Sequence, residues 1–309
     1  MSTAQWSQAT VDVIRQHVLL EAGATMTASE VIRIWELSGV ERLHLTTDTS
    51  VIFKFAVKPF TTEAETLINL ADHGIPVVAV QAWAIRDQTL GMLTEDLGLP
   101  VRTATEKDAA TTAASLHATP VLGHLDTFDE EALTSLPERG LAALAALQRQ
   151  GRFLNAWDIN RALQRLASCA RALAAGAERP PFGVCHGELH PTSIHVGTKG
   201  TRLLDLAKAF NGPGLLDLAT WFGTRAPAQP QHLNRLIHAY IHVGGHPDAA
   251  SRRGGLPAHR WALGWHRVWA AHWFLAHAAA GHHSRARDDS HHTIIRRQVT
   301  TAVTLLTSS

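Results

Sequence analysis

Two neighbouring stretches of the sequence hold acidic and polar residues in an arrangement that can do chemistry. The first is VCHGELHPTSIHV, residues 184–196, and the second is RLLDLAKAFNGPGLLDLATW, residues 202–221. Glu188 lies beside Gly187 in the first stretch, and Asp205 ends a short apolar run in the second. Each stretch begins with β-forming residues and continues into loop residues, so both carboxylates are predicted to lie in loops at strand ends.

A candidate cation for the same site, Lys54, lies N-terminal to these two stretches. Lys54 is inside the strand-like run SVIFKF, where Phe53 and Phe55 point to the opposite face, so its ammonium is expected to emerge alone from one side of a sheet. Glu63, at the start of the next predicted helix, is the natural carboxylate partner. The alternative is that Lys54 and Glu63 are two unrelated surface charges.

Phosphoryl transfer needs this combination of groups. The reaction depends on a carboxylate that orients the attacking hydroxyl, oxygen ligands for magnesium, and a cation that holds the nucleoside triphosphate. Glu188 is the candidate for the first role, Asp205 for the second and Lys54 for the third. A Lys54–Glu63 pair would hold the ammonium toward the phosphates.

The elements that must position these residues read as a small antiparallel sheet followed by helices. Residues 31–55 alternate or cluster as β-formers, with turns predicted at Ser38-Gly39 and at residues 47–49. A helix is predicted over 62–73, and two further strands over 77–93. We therefore expect an α+β amino-terminal lobe in which one helix packs on the sheet.

After Gly98 the composition changes to Ala- and Leu-rich stretches with helical spacing. Helices are predicted over residues 107–117, 141–150, 158–175, 261–280 and 293–306, and an exposed loop over 281–292. The expected organisation is an amino-terminal nucleotide-binding lobe, residues 1–97, and a larger, mainly helical lobe, residues 98–309, with the catalytic loop, metal site and acceptor pocket.

Composition narrows the class of protein. Hydrophobic residues make up 45% and charged residues 18% of the 309, as in an ordinary globular protein. We expect a cytoplasmic protein with no membrane segment, because no secretory leader and no run of about 18 apolar residues is evident. Cys169 and Cys185 are expected to be reduced. Arginines are dispersed and no binding motif is present, so no nucleic-acid partner is expected.

The order of these residues and elements resembles the aminoglycoside phosphotransferase family, small-molecule relatives of the protein kinases, over residues 30–225. The family has a His-Gly-Asp-x-His-x-x-Asn loop, then an Asp at a strand end, then Gly and Asp-Leu-Ala. Here these positions hold HGELHPTS, Asp205, Gly214 and DLA at 217–219. The resemblance implies a bilobal protein-kinase-like fold and transfer of the γ-phosphate of ATP or GTP, with Mg²⁺, to a hydroxyl of a small molecule.

The resemblance also implies where the nucleotide binds. Lys54 and Glu63 match the phosphate-binding lysine and its glutamate partner, and residues 93–97 match the segment that connects the lobes. Within that segment Glu95 and Leu97 are expected to offer backbone groups to the nucleobase. Residues 38–44 are expected to form the flap over the phosphates.

Four further residues of the two loops receive expectations from the same resemblance. His186 and Asp217 are expected to brace the catalytic loop. A structural role is the favoured interpretation for His190 and His195, and the alternative is that one of them, His190 first, steadies phosphates.

Two positions at the centre of the motif depart from the family pattern. Glu188 stands where the family has its catalytic Asp, which extends the carboxylate by about 1.5 Å. Ser193 stands where the family has a metal-binding Asn, and a hydroxyl is a poorer magnesium ligand than an amide carbonyl. An active enzyme is the favoured interpretation, and a catalytically silent nucleotide- or ligand-binding protein of the same fold is the alternative.

The acceptor is expected to be an antibiotic or related metabolite. Few acidic residues lie in 151–309 outside the catalytic loops, which disfavours a polycationic aminoglycoside and favours a nucleoside or macrolide-like molecule. Trp261, Trp265, Trp269 and Trp273 repeat every four residues on one predicted helix. This stripe is either part of the core or an aromatic wall for a ring-bearing acceptor.

Overall fold

The computed structural model describes residues 6–224 and 227–308. Along the chain the elements are α1 (Gln8–Glu21), β1 (Met26–Ile34), β2 (Ser38–Leu45), β3 (Ser50–Val57), α2 (Glu63–Asp72), β4 (Val80–Arg86), β5 (Thr89–Glu95), α3 (Glu106–His117), α4 (Glu130–Arg149), α5 (Trp157–Ala174), β6 (Phe182–Cys185), β7 (Ile194–Gly197), β8 (Gly200–Leu203), β9 (Phe210–Pro213), α6 (Gly214–Thr220), α7 (Pro230–His242), α8 (Ala258–Ala279) and α9 (Asp288–Thr307). The α+β class is as predicted.

Five strands form one antiparallel sheet in the order β1-β2-β3-β5-β4. The predicted meander and the helix near residues 62–73 are both present. The expectation of a single helix beside this sheet is wrong, because α1 also packs against β4 and β5. Its Val11, Ile14 and Val18 share one face and are buried against the sheet side that carries Phe53 and Phe55.

The predicted turn at Ser38-Gly39 is also wrong, because both residues begin β2. The connection from β1 to β2 is Trp35–Leu37, closed by the N–H of Trp35 donating to the carbonyl of Ser38 at 2.7 Å. Gly39 serves packing here, since a Cβ at this position would collide with the Phe55 ring. Residues 38–44, expected as the flap, are therefore strand residues, and the turn lies just before them.

The described chain forms two compact units. The first contains the residues up to Ala104 together with Thr192–Ala209, so the hairpin of β7 and β8 belongs to the unit of the five-stranded sheet. Backbone bonds join the hairpin to residues before β4: Val78 N–H donates to Leu203 O at 3.0 Å, and Leu203 N–H donates to Pro76 O at 2.8 Å. The division into lobes of residues 1–97 and 98–309 stays a prediction.

The second unit contains Thr105–Pro191 and the described residues from Phe210 onward, and it is mainly helical. Trp261 and Trp265 of α8 are buried, and both indole N–H groups donate to the carbonyl of Leu173. The core interpretation of the tryptophan stripe is confirmed for these two. Trp269 and Trp273 are half-buried.

The segment 281–292, predicted as an exposed loop, is partly helical because α9 begins at Asp288. Asp288 forms an ion pair with Arg152 at 2.5 Å, and the side chain of His291 is buried against the ring of Phe274. These contacts join the polar segment to residues that are distant from it in sequence, so its composition alone did not indicate them. Among the described residues no helix is long and apolar enough to cross a membrane.

The packing of α1 on the sheet leads to a stability prediction. Ile14 is 1% exposed and fills the space left by Gly91, whereas the neighbouring Val13 is 41% exposed. We expect Ile14→Ala to lower the free energy of unfolding by about 2–4 kcal/mol, because it leaves a cavity between helix and sheet. Val13→Ala is the matched control and should change it by less than about 0.5 kcal/mol. Urea denaturation followed by circular dichroism measures both, and equal effects would contradict this packing.

Candidate active site

Lys54 lies at the centre of the sheet because β3 is paired on both sides. Its backbone is opposite Val40 of β2 and Met92 of β5. Phe53 and Phe55 point into the apolar core, so the alternation of the strand places the Lys54 side chain on the other face. The residue is nevertheless only 8% exposed.

The predicted pairing of Lys54 with Glu63 is present. Lys54 Nζ donates to Glu63 Oε1 at 2.8 Å and lies 2.6 Å from Oε2. Glu63 is the first residue of α2, where the helix dipole favours a negative charge, and it is 1% exposed. The glutamate is therefore fixed by its helix and in turn fixes the ammonium.

A second carboxylate lies at the same ammonium. Lys54 Nζ is 2.5 Å from Oδ1 of Asp205, and Oδ2 of Asp205 is 3.5 Å from Nη2 of Arg33. Asp205 has a positive φ of 60°, a conformation that Asp tolerates better than most residues, and this turns the chain sharply after β8. The backbone N–H of Leu206 contributes a hydrogen bond to Glu63, which ties the Asp205 segment to α2.

The electrostatics of this cluster keep Lys54 charged. Burial lowers the pKa of the ammonium, but the charges and hydrogen bonds of Glu63 and Asp205 raise it more, so the net pKa lies above its usual value. A buried ammonium whose carboxylate partners are fixed is available to hold an anionic ligand in one place.

The donor atoms near Asp205 fit a magnesium ion. Asp205 offers a carboxylate that is 36% exposed, which is the type of ligand that magnesium takes from proteins, together with phosphate oxygens. Ser193 is 1% exposed, and its carbonyl oxygen accepts the N–H of Leu204 at 2.9 Å, one residue before Asp205. The hydroxyl of Ser193 stays a predicted ligand.

The end of β5 and the residues after it, where Glu95 and Leu97 were expected to contact a nucleobase, are held by the side chain of Asp96. The Asp96 carboxylate accepts from Arg42 Nε and Ser50 Oγ, both at 2.7 Å, and from Gly98 N–H at 3.0 Å. Burial opposes its ionisation, but these bonds lower the net pKa of Asp96. The N–H of Glu95 donates to Ala79 O at 3.0 Å, so it is not available to a ligand, and the role of Leu97 stays a prediction.

In the second unit, the catalytic-loop motif is built around Asp217. Its Oδ2 accepts the N–H of His186 at 2.9 Å, and its Oδ1 accepts the N–H of Gly187 at 3.0 Å. Gly187 has a positive φ of 82°, which glycine adopts without strain. The expected bracing role of Asp217 is therefore present, with its carboxylate 0% exposed.

Glu188 follows directly and is half-buried. Its N–H donates to Nδ1 of His186 at 3.3 Å, and the carbonyl of the next residue, Leu189, accepts from Thr220 Oγ1 at 3.0 Å. The backbone on both sides of the proposed catalytic carboxylate is thus held by fixed groups. The imidazole of His186 is buried, as its bracing role requires.

The two other histidines of the motif lie in different units. His190 is half-buried at the end of the loop in the second unit, whereas His195 is buried in β7 of the first unit. The structural interpretation fits His195 because it is a strand residue paired with Arg202. A phosphate contact by His190 stays a prediction.

Sequence reasoning missed two residues of these clusters, His117 and Arg33. His117 Nε2 lies 3.2 Å from Oδ2 of Asp217, although the two residues are 100 positions apart. The buried Cys185 completes a group whose side-chain donor atoms lie within 4.8 Å of one another. Burial raises the pKa of the Cys185 thiol well above its usual value, so it stays protonated, and we interpret the group as a hydrogen-bonded support of the loop.

The Lys54 pair leads to a prediction about stability. Lys54→Met leaves the Glu63 carboxylate buried without its cation, so we expect the free energy of unfolding to fall by about 3–5 kcal/mol. The double variant Lys54→Met, Glu63→Gln removes the stranded charge and should regain part of this loss. Lys58→Met, at an exposed position just after β3, is the control. Urea denaturation checks all three, and a fully stable Lys54→Met would contradict the pairing.

The support of the loop leads to a second prediction. Asp217→Asn cannot accept all three hydrogen bonds, and we expect a loss of about 3 kcal/mol at neutral pH. Burial opposes ionisation of Asp217, but bonds from His117 and the loop hold its net pKa below the usual range. The stabilisation that the ionised Asp217 gives to the folded state is therefore complete at pH values above the unfolded-state pKa of about 3.9. It is lost as the pH falls through the lower pKa of the folded state.

Denaturation of both proteins between about pH 3 and pH 8 measures this difference. The expected result is a constant gap down to about pH 4 that narrows below it. Asp126→Asn, at an exposed position in the same unit, should show no gap. A gap that widens toward acid would contradict the assignment.

Comparison with known proteins supports the fold and the family resemblance. A comparison with curated protein sequences gave no match. The fold is similar to that of choline kinase LicA from Streptococcus pneumoniae, with a TM-score of 0.64, 15% identity, and 96% of this chain and 100% of that chain covered. The fold is also similar to that of macrolide 2'-phosphotransferase MphH from Brachybacterium faecium. The TM-score is 0.57 at 19% identity, with 98% of this chain and 99% of that chain covered.

A third similar structure is a thermostable mutant of aminoglycoside phosphotransferase APH(4)-Ia in a ternary complex with ADP and hygromycin B. Its TM-score is 0.62 at 10% identity, covering 95% of this chain and 99% of that one. These likenesses concern the fold. The model of the phosphotransferase enzyme family (APH) matches residues 38–254, well over half of the chain, so this protein belongs to that family.

Proposed function

We propose that this protein transfers the γ-phosphoryl group of ATP or GTP to a hydroxyl group of a small molecule. The observation that carries the proposal is the buried ammonium of Lys54, held by Glu63 and facing Asp205. Family membership and the fold support it.

The residues of the first unit are proposed to hold the nucleoside triphosphate. Lys54 stays protonated and binds phosphate oxygens, while Glu63 keeps it in position. Asp205, with Ser193 as a weaker second ligand, is the proposed site for Mg²⁺. When bound, the ion supplies neutralisation of the phosphate charge. ATP is the favoured donor, since ADP occupies one of the structurally similar proteins.

Glu188 of the second unit is proposed to accept the proton of the attacking hydroxyl. As the new oxygen–phosphorus bond forms, the bond from the γ-phosphorus to the bridging oxygen breaks, and the nucleoside diphosphate leaves with that oxygen. Its backbone is held through His186, and Asp217 holds the start of the loop. A glutamate is one methylene longer than the usual aspartate, so the acceptor oxygen is expected to lie about 1.5 Å farther from this backbone.

A ring-bearing acceptor is favoured over a polycationic one by two features of the second unit. Phe128, Phe210 and Trp269 form an aromatic group with ring centroids 5.1–6.0 Å apart, in which Phe128 and Trp269 are half-buried. Phe210 pairs with Cys185, directly before the catalytic loop. A planar or apolar molecule such as a nucleoside or macrolide can pack on these rings.

Asp129 and Glu130, which follow Phe128 directly, have local partners. Asp129 caps α4 through the N–H of Ala132 at 2.8 Å, and Glu130 accepts the N–H of Gly176 at 3.2 Å. These carboxylates therefore support the fold, which weakens the case for a polycationic aminoglycoside.

Incubation with Mg²⁺, labelled ATP or GTP and a panel of nucleosides, macrolides and aminoglycosides tests the proposal. We expect transfer to a member of the first two classes. Glu188→Gln should lower the turnover number by about 10²–10⁴-fold without changing nucleotide affinity, because its carboxylate acts on the acceptor. Asp205→Asn should weaken both turnover and magnesium-dependent nucleotide binding.

Glu138→Gln, at an exposed position on α4, is the control and should behave as wild type. The alternative is a catalytically silent binding protein of the same fold. Triphosphate binding that does not depend on magnesium, together with no transfer to any member of the panel, would favour that alternative.

A further inference from the structure

Arg33 approaches the same carboxylate as Lys54 from a different element. Its Nη2 lies 3.5 Å from Oδ2 of Asp205, whereas Lys54 Nζ lies 2.5 Å from Oδ1. Each oxygen of Asp205 therefore faces its own cation. Lys54 belongs to the centre of the sheet, but Arg33 belongs to the edge strand β1, next to the turn that leads into β2.

The position of Arg33 is set by an aromatic support. Its guanidinium carbon lies 4.5 Å from the ring centroid of Trp35, which is within the range of a cation–π contact. The carbonyl of Trp35 accepts the indole N–H of Trp6 at 3.1 Å, and the N–H of Trp35 closes the turn onto Ser38. The turn is thus tied down at both sides, and the arginine is directed from it.

A purely stabilising role does not account for this arrangement. The Arg33 side chain is 41% exposed and its ion pair is long, so the pair adds little to stability. The Lys54 side chain, by comparison, is 10% exposed and is held by two carboxylates. An exposed cation that lies beside a candidate magnesium ligand is suited to binding a ligand with negative charge.

We propose that Arg33 is a second phosphate-binding residue, and that it contacts the terminal phosphate of the nucleoside triphosphate. The inference rests on the function proposed above, in which Lys54 and Asp205 hold the triphosphate. A divalent cation on Asp205 repels the guanidinium, while phosphate oxygens attract it and match its planar fork of donors.

The choice of phosphate follows from the two oxygens. A lysine in this position acts on the α- and β-phosphates. Because Arg33 lies at Oδ2 of Asp205 and Lys54 lies at Oδ1, Arg33 is placed to reach the phosphate that Lys54 does not serve. The rival role is that Arg33 is only a counter-ion of Asp205. In that case Arg33 competes with Mg²⁺ for the carboxylate, and its removal would strengthen the binding of the triphosphate with Mg²⁺.

Calorimetric titration of a non-hydrolysable ATP analogue, ADP and AMP, each with Mg²⁺, tests the proposal on the equilibrium dissociation constant. We expect Arg33→Ala to raise the dissociation constant of the analogue by at least about tenfold and that of ADP by less than about threefold, and to leave that of AMP unchanged. Arg33→Lys should lie between wild type and Arg33→Ala, because it keeps the charge without the fork. Arg33→Gln, which keeps polar bulk, should match Arg33→Ala.

Arg86→Ala is the matched control, because this arginine ends β4 in the same sheet, is 61% exposed and pairs with Asp87. It should leave all three constants unchanged. Wild-type protein that binds no triphosphate would overturn the proposed function and this inference together. A wild type that binds, with Arg33→Ala binding the analogue equally or more tightly, would overturn the Arg33 role alone. An equal loss for all three nucleotides would overturn the assignment to the terminal phosphate.

Discussion

The first unit depends on one buried cation. Lys54 carries a positive charge at 8% exposure, and such a charge is tolerated only when carboxylates compensate its lost hydration. Glu63 and Asp205 provide this compensation, and each comes from a different element. The requirement therefore fixes β3, α2 and the end of the β7–β8 hairpin relative to one another, and it fixes them around the groups that phosphate chemistry uses.

The second unit contains a buried anion instead of a buried cation. Asp217 is fully buried and accepts two backbone N–H groups of the catalytic loop as well as Nε2 of His117. Since a carboxylate with several donors is more stable charged than neutral, the loop must keep its path to satisfy it. The carboxylate that supports the loop and the carboxylate proposed to act on the acceptor, Glu188, are separate residues with separate tasks.

The two unusual residues at the motif positions lie in well-supported surroundings. Glu188 replaces a shorter acid, but its backbone is held from both sides. Ser193 is buried beside the strand that leads to Asp205, where a small hydroxyl fits. The chemistry can therefore shift in distance and in the number of metal ligands while the framework stays that of the phosphotransferase enzyme family.

Local patterns were sufficient for much of this description. Alternation in SVIFKF predicted which face Lys54 takes, and the order of Lys54, Glu63, Glu188 and Asp205 predicted the family, because these signals lie within single strands, helices and loops. The helix α1 has an apolar face of its own, but its position against Phe53 and Gly91 depends on contacts between residues distant in sequence.

Contacts between distant residues could not be predicted in the same way. His117 and Asp217 meet across 100 positions, and Arg33 reaches Asp205 from an edge strand. Gly39 looked like a turn residue, yet its lack of a side chain serves the ring of Phe55. The sequence by itself determined which residues can do the chemistry. Beyond the predicted Lys54–Glu63 pair, only the tertiary structure decided which charges lie beside them, because burial, and with it the energy of every charge, depends on how the elements pack.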